Sequence, residues 1–230
     1  MGSENKKIGY RSIADCVVDY FKNKIRKGEL RPGDKINEKE LCRDLGISRT
    51  PIREALIQLE KEGFVEIFPR REIRVRKLSL EEVRDIYRVI GTLEAEAAEI
   101  VIDKLKDDDI LKMEELYQKM VKAIEENDVG KYIDCNCEIH NIHVSLYENK
   151  ILSDIISNLK MKLEFPTRSI MNIPSPEWTK ELLKDHLDLI QFFKKREKTK
   201  ARKLMKQHWS FERYQPYINK YYELETITKK

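Results

Sequence analysis

The chain has 230 residues and a mass of 27.4 kDa, which favours two domains over one. Hydrophobic residues make up 40% and charged residues 37%, with 8 Gly and 7 Pro, which is too apolar for a disordered chain and too poor in turn residues for an all-β sandwich. The sequence has no apolar run long enough for a membrane span and no apolar core of a signal peptide. We therefore expect a mostly helical, cytoplasmic protein with reduced cysteines and no membrane contact.

The charge is divided unevenly along the chain. Residues 1–78 hold 19 Lys and Arg against 13 Asp and Glu, whereas the remainder holds 26 against 28. A basic domain over residues 1–77 and a slightly acidic domain over residues 78–230 indicate a module that binds a polyanion, joined to a part with another task.

Three helices and a hairpin are predicted in the basic domain. Residues 8–27 and 50–63 have apolar stripes at helical spacing, and residues 37–46 begin with a sequence similar to a capping box. Each of these segments ends at or just before a glycine, and either Ser48 or Thr50 could cap the third helix. Beyond it, apolar and polar residues alternate over residues 65–75, which predicts a short hairpin.

Three helices with a tight turn before the third, followed by a basic hairpin, predict a winged helix-turn-helix. Arg49 and Arg53 lie near the start of the third helix, where a recognition helix meets base edges, and an arginine can bond guanine bidentately. Arg70 and Arg71 in the hairpin would lie along the DNA backbone or in the minor groove. The alternative interpretation is that these arginines are solvated surface charges.

The segment 25–75 resembles the GntR family of bacterial transcriptional regulators, above all in the run Gly46-Ile47-Ser48-Arg49-Thr50-Pro51-Ile52-Arg53-Glu54-Ala55-Leu56. The resemblance implies that DNA is contacted by Lys39, Arg43, Ser48, Arg49, Thr50 and Arg53. The hairpin departs from the family pattern, which usually has Gly at the tip, where this chain has Glu72. Because phosphate repels a carboxylate, either the tip is displaced or Arg70 and Arg71 make its contacts.

The second domain is predicted to be an antiparallel all-α bundle of six or seven helices. A capping box at residues 79–82 starts its first helix. The further amphipathic segments lie at about 108–126, 129–147, 151–171, 177–196 and 199–220. No strand pattern occurs among them.

Three of the four histidines are predicted to face the interior of this bundle. His140 shares a helix face with Asn136, four residues before it, while His186 and His208 lie on two later helices. Three imidazoles and an oxygen from separate helices would suit a divalent transition metal. Histidines that are hydrogen-bonded within the core are an equally good interpretation of the spacing alone.

The arrangement Asn136-x-x-x-His140, His186 and Met205-x-x-His208 resembles the FCD-type effector domain of the FadR subfamily. Metal-binding members have an Asp and three His at these places. The resemblance therefore implies a divalent metal such as Zn, Ni or Mn at Asn136, His140, His186 and His208. Since Asn136 replaces the Asp, we expect weaker metal binding.

The resemblance also implies a small-molecule effector, with an organic acid as one candidate. The family usually has an Arg four residues before Glu94, where it can hold a ligand carboxylate, but this chain has Ile90. Tyr87, Arg88 and Arg168 are therefore candidates for lining the effector pocket.

The sequence thus predicts a ligand-responsive, non-enzymatic transcriptional regulator. It would bind a pseudo-palindromic operator in double-stranded DNA as a homodimer, and a small molecule in the helical bundle would change its affinity for DNA. Two alternatives remain open at this point: a metal-dependent enzyme domain fused to a DNA-binding domain, and a DNA-binding architectural protein without a ligand.

Overall fold

Three helices and a small sheet form the basic N-terminal part of the computed structural model. The structure describes residues 11–69, 72–171 and 176–227, with side chains described throughout except at 165–179, 221 and 223–227. The elements of this part are α1 (Ile13–Arg26), β1 (Lys35–Ile36), α2 (Glu38–Leu45), α3 (Arg49–Lys61), β2 (Val65–Phe68) and β3 (Glu72–Val75). This confirms the predicted winged helix-turn-helix.

The helices of this part begin and end where local chemistry favours it. Ser12 and Asp15 form a capping box at the start of α1. The turn between α2 and α3 needs Gly46, whose φ of +65° lies in the left-handed region that favours glycine. The third helix begins at Arg49 after Ser48, the first of the two capping residues expected from the sequence.

The apolar stripe of α3 forms the centre of the N-terminal core. Ile52, Ala55, Leu56 and Leu59 are buried and pack on α1. The sheet is antiparallel in the order β1-β3-β2, with Val65 opposite Val75 and Ile36 opposite Ile73. The strand β1 is an addition to the predicted hairpin.

Seven helices form the second part of the chain within the described residues. They are α4 (Leu80–Val101), α5 (Asp107–Glu125), α6 (Val129–Leu146), α7 (Lys150–Met171), α8 (Pro176–Lys194), α9 (Lys198–His208) and α10 (Phe211–Ile227). The predicted capping box of Ser79 and Glu82 begins α4. The last predicted segment, 199–220, is divided in two at Trp209 and Ser210. By internal contacts the chain separates into two units, Met1–Leu78 and Ser79–Lys230.

The core of the second unit lies between α4, α5, α6, α8 and α9. Its fully buried side chains include Ile102, Met113, Met120, Ile139 and Phe193. A smaller apolar group joins α6 and α7. Among the described helices, none is both long enough and apolar enough to cross a membrane.

Gly91 permits a close approach between α4 and the turn that follows α9. A Cβ atom on Gly91 would lie 2.8 Å from the Cβ of Trp209. We expect Gly91→Ala to lower the free energy of unfolding by about 1–2 kcal/mol, because the cost of overpacking exceeds the gain in helix propensity. Urea unfolding measures this change. Thr92→Ala, an exposed replacement on the same helix, is the control and should change stability by less than about 0.5 kcal/mol.

Candidate functional site

The first candidate site is the exposed surface of α2 and the start of α3. Six side chains expected to contact DNA are exposed on this surface: Lys39, Arg43, Ser48, Arg49, Thr50 and Arg53. The Ser48 side chain makes no capping hydrogen bond within the described structure, so its hydroxyl is available to an external acceptor. Arg70 and Arg71, the other two candidates, lie outside the described residues.

The carboxylate of Glu38 contacts two of these arginines, Arg49 and Arg53. Glu38 Oε2 accepts hydrogen bonds from Arg49 Nε at 3.0 Å and from Arg49 Nη2 at 2.8 Å, while its Oε1 lies 3.6 Å from Arg53 Nε. The side chain of Glu38 is only 13% exposed, whereas those of Arg49 and Arg53 are about half exposed. No sequence pattern singles out Glu38 as a DNA-site residue, since its partners lie on the next helix.

The charge of Glu72, at the start of β3, is compensated within the sheet. Arg74 Nε donates to Glu72 Oε1 at 2.8 Å, and Arg74 Nη1 donates to the carbonyl of Gly33 at 2.9 Å. This ion pair reduces the repulsion of phosphate that the carboxylate would otherwise cause.

The second candidate site is a cluster of three buried histidines in the helical unit. His140 on α6, His186 on α8 and His208 on α9 are each at most 4% exposed. One ring nitrogen from each lies within 4.8 Å of the other two, and His140 Nε2 is 3.3 Å from His186 Nε2. The structure thus brings together three of the four residues that the sequence proposed as metal ligands.

The other ring nitrogen of each histidine has an acceptor beside it. His140 Nδ1 is 2.6 Å from Glu94 Oε2, and His208 Nδ1 is 3.0 Å from Asp185 Oδ2. His186 Nδ1 is 2.7 Å from the carbonyl of Leu182. When Nδ1–H donates to these acceptors, Nε2 of each ring keeps its lone pair. This is the arrangement of histidines that bind a metal through Nε2.

The electrostatics favour neutral rings at His140 and His186. Burial lowers the pKa of His186 to about 3 and holds the pKa of His140 well below its usual value. Burial alone would raise the pKa of Glu94, but His140 and Lys160 outweigh it and hold that pKa well below its usual value. Neutral imidazole is the form that binds a metal ion.

Glu94 is the centre of the polar contacts beside the histidines. Its Oε2 accepts from Trp209 Nε1 at 3.1 Å as well as from His140, and its Oε1 forms an ion pair with Lys160. Lys160 also lies over the Trp209 ring, 5.5 Å from its centroid. Glu94 is not among the site residues predicted from the sequence. A carboxylate within the apolar face of α4 was the signal that could have identified it.

His143 forms a second group with Glu94 and His140, in which one ligand atom from each lies within 4.8 Å of the others. It is fully buried, and neither of its ring nitrogens makes a hydrogen bond to the described residues. Its Nε2 lies 3.6 Å from Glu94 Oε2, so a metal ion here would compete with Lys160 for the same carboxylate. This competition disfavours the second group as a metal site.

The remaining predicted residues differ in burial. Asn136 is half-buried on α6, one turn before His140. Tyr87 is buried and packs against Trp209, with ring centroids 5.7 Å apart. Arg88 is exposed beside Asp85 and Glu212, so it does not join the cluster. Arg168 lies on α7, but its side chain is outside the described part.

The buried histidines give the metal-free protein a stability that depends on pH. Between pH 6.5 and about 3, an unfolded chain protonates His186 while the folded protein keeps it neutral. Stability should therefore be complete above pH 6.5 and fall below it, by up to about 1.4 kcal/mol per pH unit for this group. Urea unfolding between pH 7.5 and 5 in a chelator, followed by tryptophan fluorescence, measures this loss. His186→Leu should have a shallower slope, and an equal slope would contradict the expectation.

Comparisons with known proteins identify relatives of both units. The sequence model of the FCD domain matches residues 85–211, and that of the bacterial regulatory proteins of the gntR family matches residues 13–75. The HTH-type transcriptional regulator YdhC of Bacillus subtilis is 28% identical over 195 residues, which cover 83% of this chain and 86% of YdhC.

Two further relatives come from Escherichia coli. The HTH-type transcriptional repressor RspR is 26% identical over 199 residues, which cover 86% of this chain and 81% of RspR. The solved structure of McbR/YncC is similar in fold, with a TM-score of 0.77 at 23% identity, over 94% of this chain and 100% of that chain.

Proposed function

We propose that the protein is a metal-assisted, ligand-responsive homodimer, because the chain belongs to the GntR family of transcriptional regulators and has an FCD domain. Membership of this family makes it a DNA-binding regulator and not an enzyme. It binds a pseudo-palindromic operator, and a small molecule in the FCD unit changes its affinity for DNA. Because it acts on bacterial DNA, its location is the cytoplasm.

The observation that supports this proposal most strongly is the set of acceptors around the three histidines. Each Nδ1 lies beside a carboxylate or a carbonyl, and the three rings converge within the bundle. A histidine that is merely buried needs one partner and no common point with two others. The donor set therefore fits a divalent transition metal held by His140, His186 and His208, with Zn, Ni and Mn as candidates.

Asn136 is the fourth ligand in this proposal. Its side-chain oxygen is neutral, so it binds a cation more weakly than the carboxylate of an Asp would. A metal held by these residues would supply a Lewis acid for the oxygen of an effector.

The charges around the cluster favour an anionic effector. The charges of the ionised pairs Glu94–Lys160 and Asp185–Arg213 each sum to zero, and burial keeps His140 and His186 neutral by lowering the pKa of each ring. A divalent ion would therefore add two positive charges that no protein group compensates. Because an uncompensated charge is costly in a buried site, the effector should bring the compensating charge, as a carboxylate of an organic acid does.

Exposed apolar side chains on α4 and α7 support the homodimer. Val89 and Ile100 on α4 and Ile151 and Ile155 on α7 are exposed, and the two helices are neighbours. A second copy of the chain would cover such side chains. Two helix-turn-helix units related by a two-fold axis would then bind two half-sites, which predicts a pseudo-palindromic operator.

Selection from a random double-stranded DNA library tests the proposal. The full-length protein is loaded with Zn, and the enriched sites are expected to contain two inverted half-sites bound by two chains. Its affinity for the enriched DNA is then measured with Zn, with a chelator, and with Zn plus a panel of di- and tricarboxylates. At least one carboxylate should change the affinity several-fold in the Zn-loaded protein alone. Enrichment without any response to metal or carboxylate would favour the ligand-free architectural alternative.

A further inference from the structure

We propose that Glu38 is a positioning residue that sets the base specificity of the DNA-binding surface, an inference that rests on the sequence-specific binding proposed above. The carboxylate of Glu38 contacts both Arg49 and Arg53, which lie one helical turn apart on α3. Its hydrogen bonds hold the guanidinium group of Arg49 in one orientation before DNA arrives, and its charge attracts that of Arg53.

The hydrogen bonds to Glu38 leave one edge of Arg49 available. Nε and one proton of Nη2 point at Glu38 Oε2, so the edge formed by Nη1 and the second Nη2 proton is left for another acceptor pair. That edge matches the O6 and N7 acceptors of guanine in the major groove. Holding the side chain in this orientation removes rotamer freedom that binding would otherwise have to remove.

The same carboxylate opposes binding that depends on charge alone. Glu38 places a negative charge beside two arginines that phosphate would attract, and its own side chain is only 13% exposed. A surface that only needed to bind phosphate would do better without it, since each uncompensated Lys or Arg adds to the salt-dependent affinity for any DNA. Glu38 therefore lowers affinity for random DNA and favours the sequence that Arg49 can bond bidentately.

Glu38→Gln tests the proposal, with the DNA site enriched from a random library by the wild-type protein and a scrambled duplex of the same length as probes. The ratio of the two affinities should fall about tenfold, because Arg49 loses the orientation in which it bonds a guanine bidentately. Affinity for the scrambled duplex should stay equal or rise. A second selection with Glu38→Gln should show relaxed preference at the same base positions that Arg49→Ala relaxes.

Two further variants separate orientation from charge. Glu40→Gln removes the same charge from an exposed position of α2 that makes no ion pair with the described residues, and it should leave the affinity ratio unchanged. Glu38→Asp keeps the charge on a shorter side chain, so it should lower the ratio even if Glu38→Gln does not fold.

The outcomes distinguish a failure of the positioning role from a failure of the proposed operator binding. If Glu38→Gln and Glu38→Asp keep the wild-type ratio and base preferences, the positioning role is wrong. If the wild-type protein itself enriches no sequence, the proposed operator binding is wrong instead.

Discussion

His186→Ala is expected to remove the divalent metal from protein that is purified without chelators and without a histidine tag. Metal affinity should fall by at least about 100-fold, because replacing a residue that only orients a ligand already costs 10- to 100-fold. About one metal ion per chain in the wild-type protein, and almost none in the variant, is the expected result of elemental mass spectrometry.

Asn136→Asp should raise the affinity for the metal, since it adds a negatively charged oxygen to the same ligand set.

His143→Ala is the matched control for this measurement. It removes an equally buried histidine from the same helix as His140 but outside the three-histidine group. Metal content should therefore stay near the wild-type value. If His143→Ala loses the metal and His186→Ala keeps it, the ion is bound by Glu94, His140 and His143, and our assignment of the site is wrong.

Arg49→Ala is expected to lower affinity for the enriched DNA site by about 10- to 100-fold and to relax the preference at one base position in each half-site. The reason is the position of Arg49 as the first residue of α3, with one guanidinium edge held by Glu38 and the other exposed. Fluorescence anisotropy with the enriched and the scrambled duplex measures both effects. Affinity for the scrambled duplex should fall much less.

The control for charge is Arg26→Ala. Arg26 is exposed in the last turn of α1, within the same unit but outside the proposed DNA surface. It should change affinity for both duplexes by less than about threefold, because it removes a positive charge without removing a base contact. Equal losses in the two variants would show that Arg49 acts only through its charge.

The helices could be predicted from the sequence wherever one apolar stripe faces one core. The stripe of Ile52, Ala55, Leu56 and Leu59 predicts α3, and all four residues are buried as expected. The strand β1 could not be predicted, because two residues have no recognisable alternation and Lys35–Ile36 forms only by pairing with β3. The break after α9 was missed for a related reason. Apolar residues keep their helical spacing through Trp209, and the sequence does not show that Trp209 lies against Gly91 of α4.

The histidine cluster was only partly predictable. The carbonyl partner of His186 follows from its position on one helix, since Leu182 lies one turn before it. The partners of His140 and His208 are carboxylates whose positions depend on how the helices pack. Lys160, which forms an ion pair with Glu94, lies on yet another helix and had no signal in the sequence. The role of the cluster in metal binding stays a prediction.

Glu94 constrains how this regulator can evolve new responses. One carboxylate joins α4 to His140 on α6, to Lys160 on α7 and to Trp209 after α9. Any substitution there leaves buried partners unpaired on several helices at once, and such losses destabilise a protein. If the proposed effector response is right, changes in ligand preference should leave this residue unchanged and occur at positions such as the half-buried Asn136 on α6. Descendants of this chain should diverge in ligand preference while they keep the same buried carboxylate.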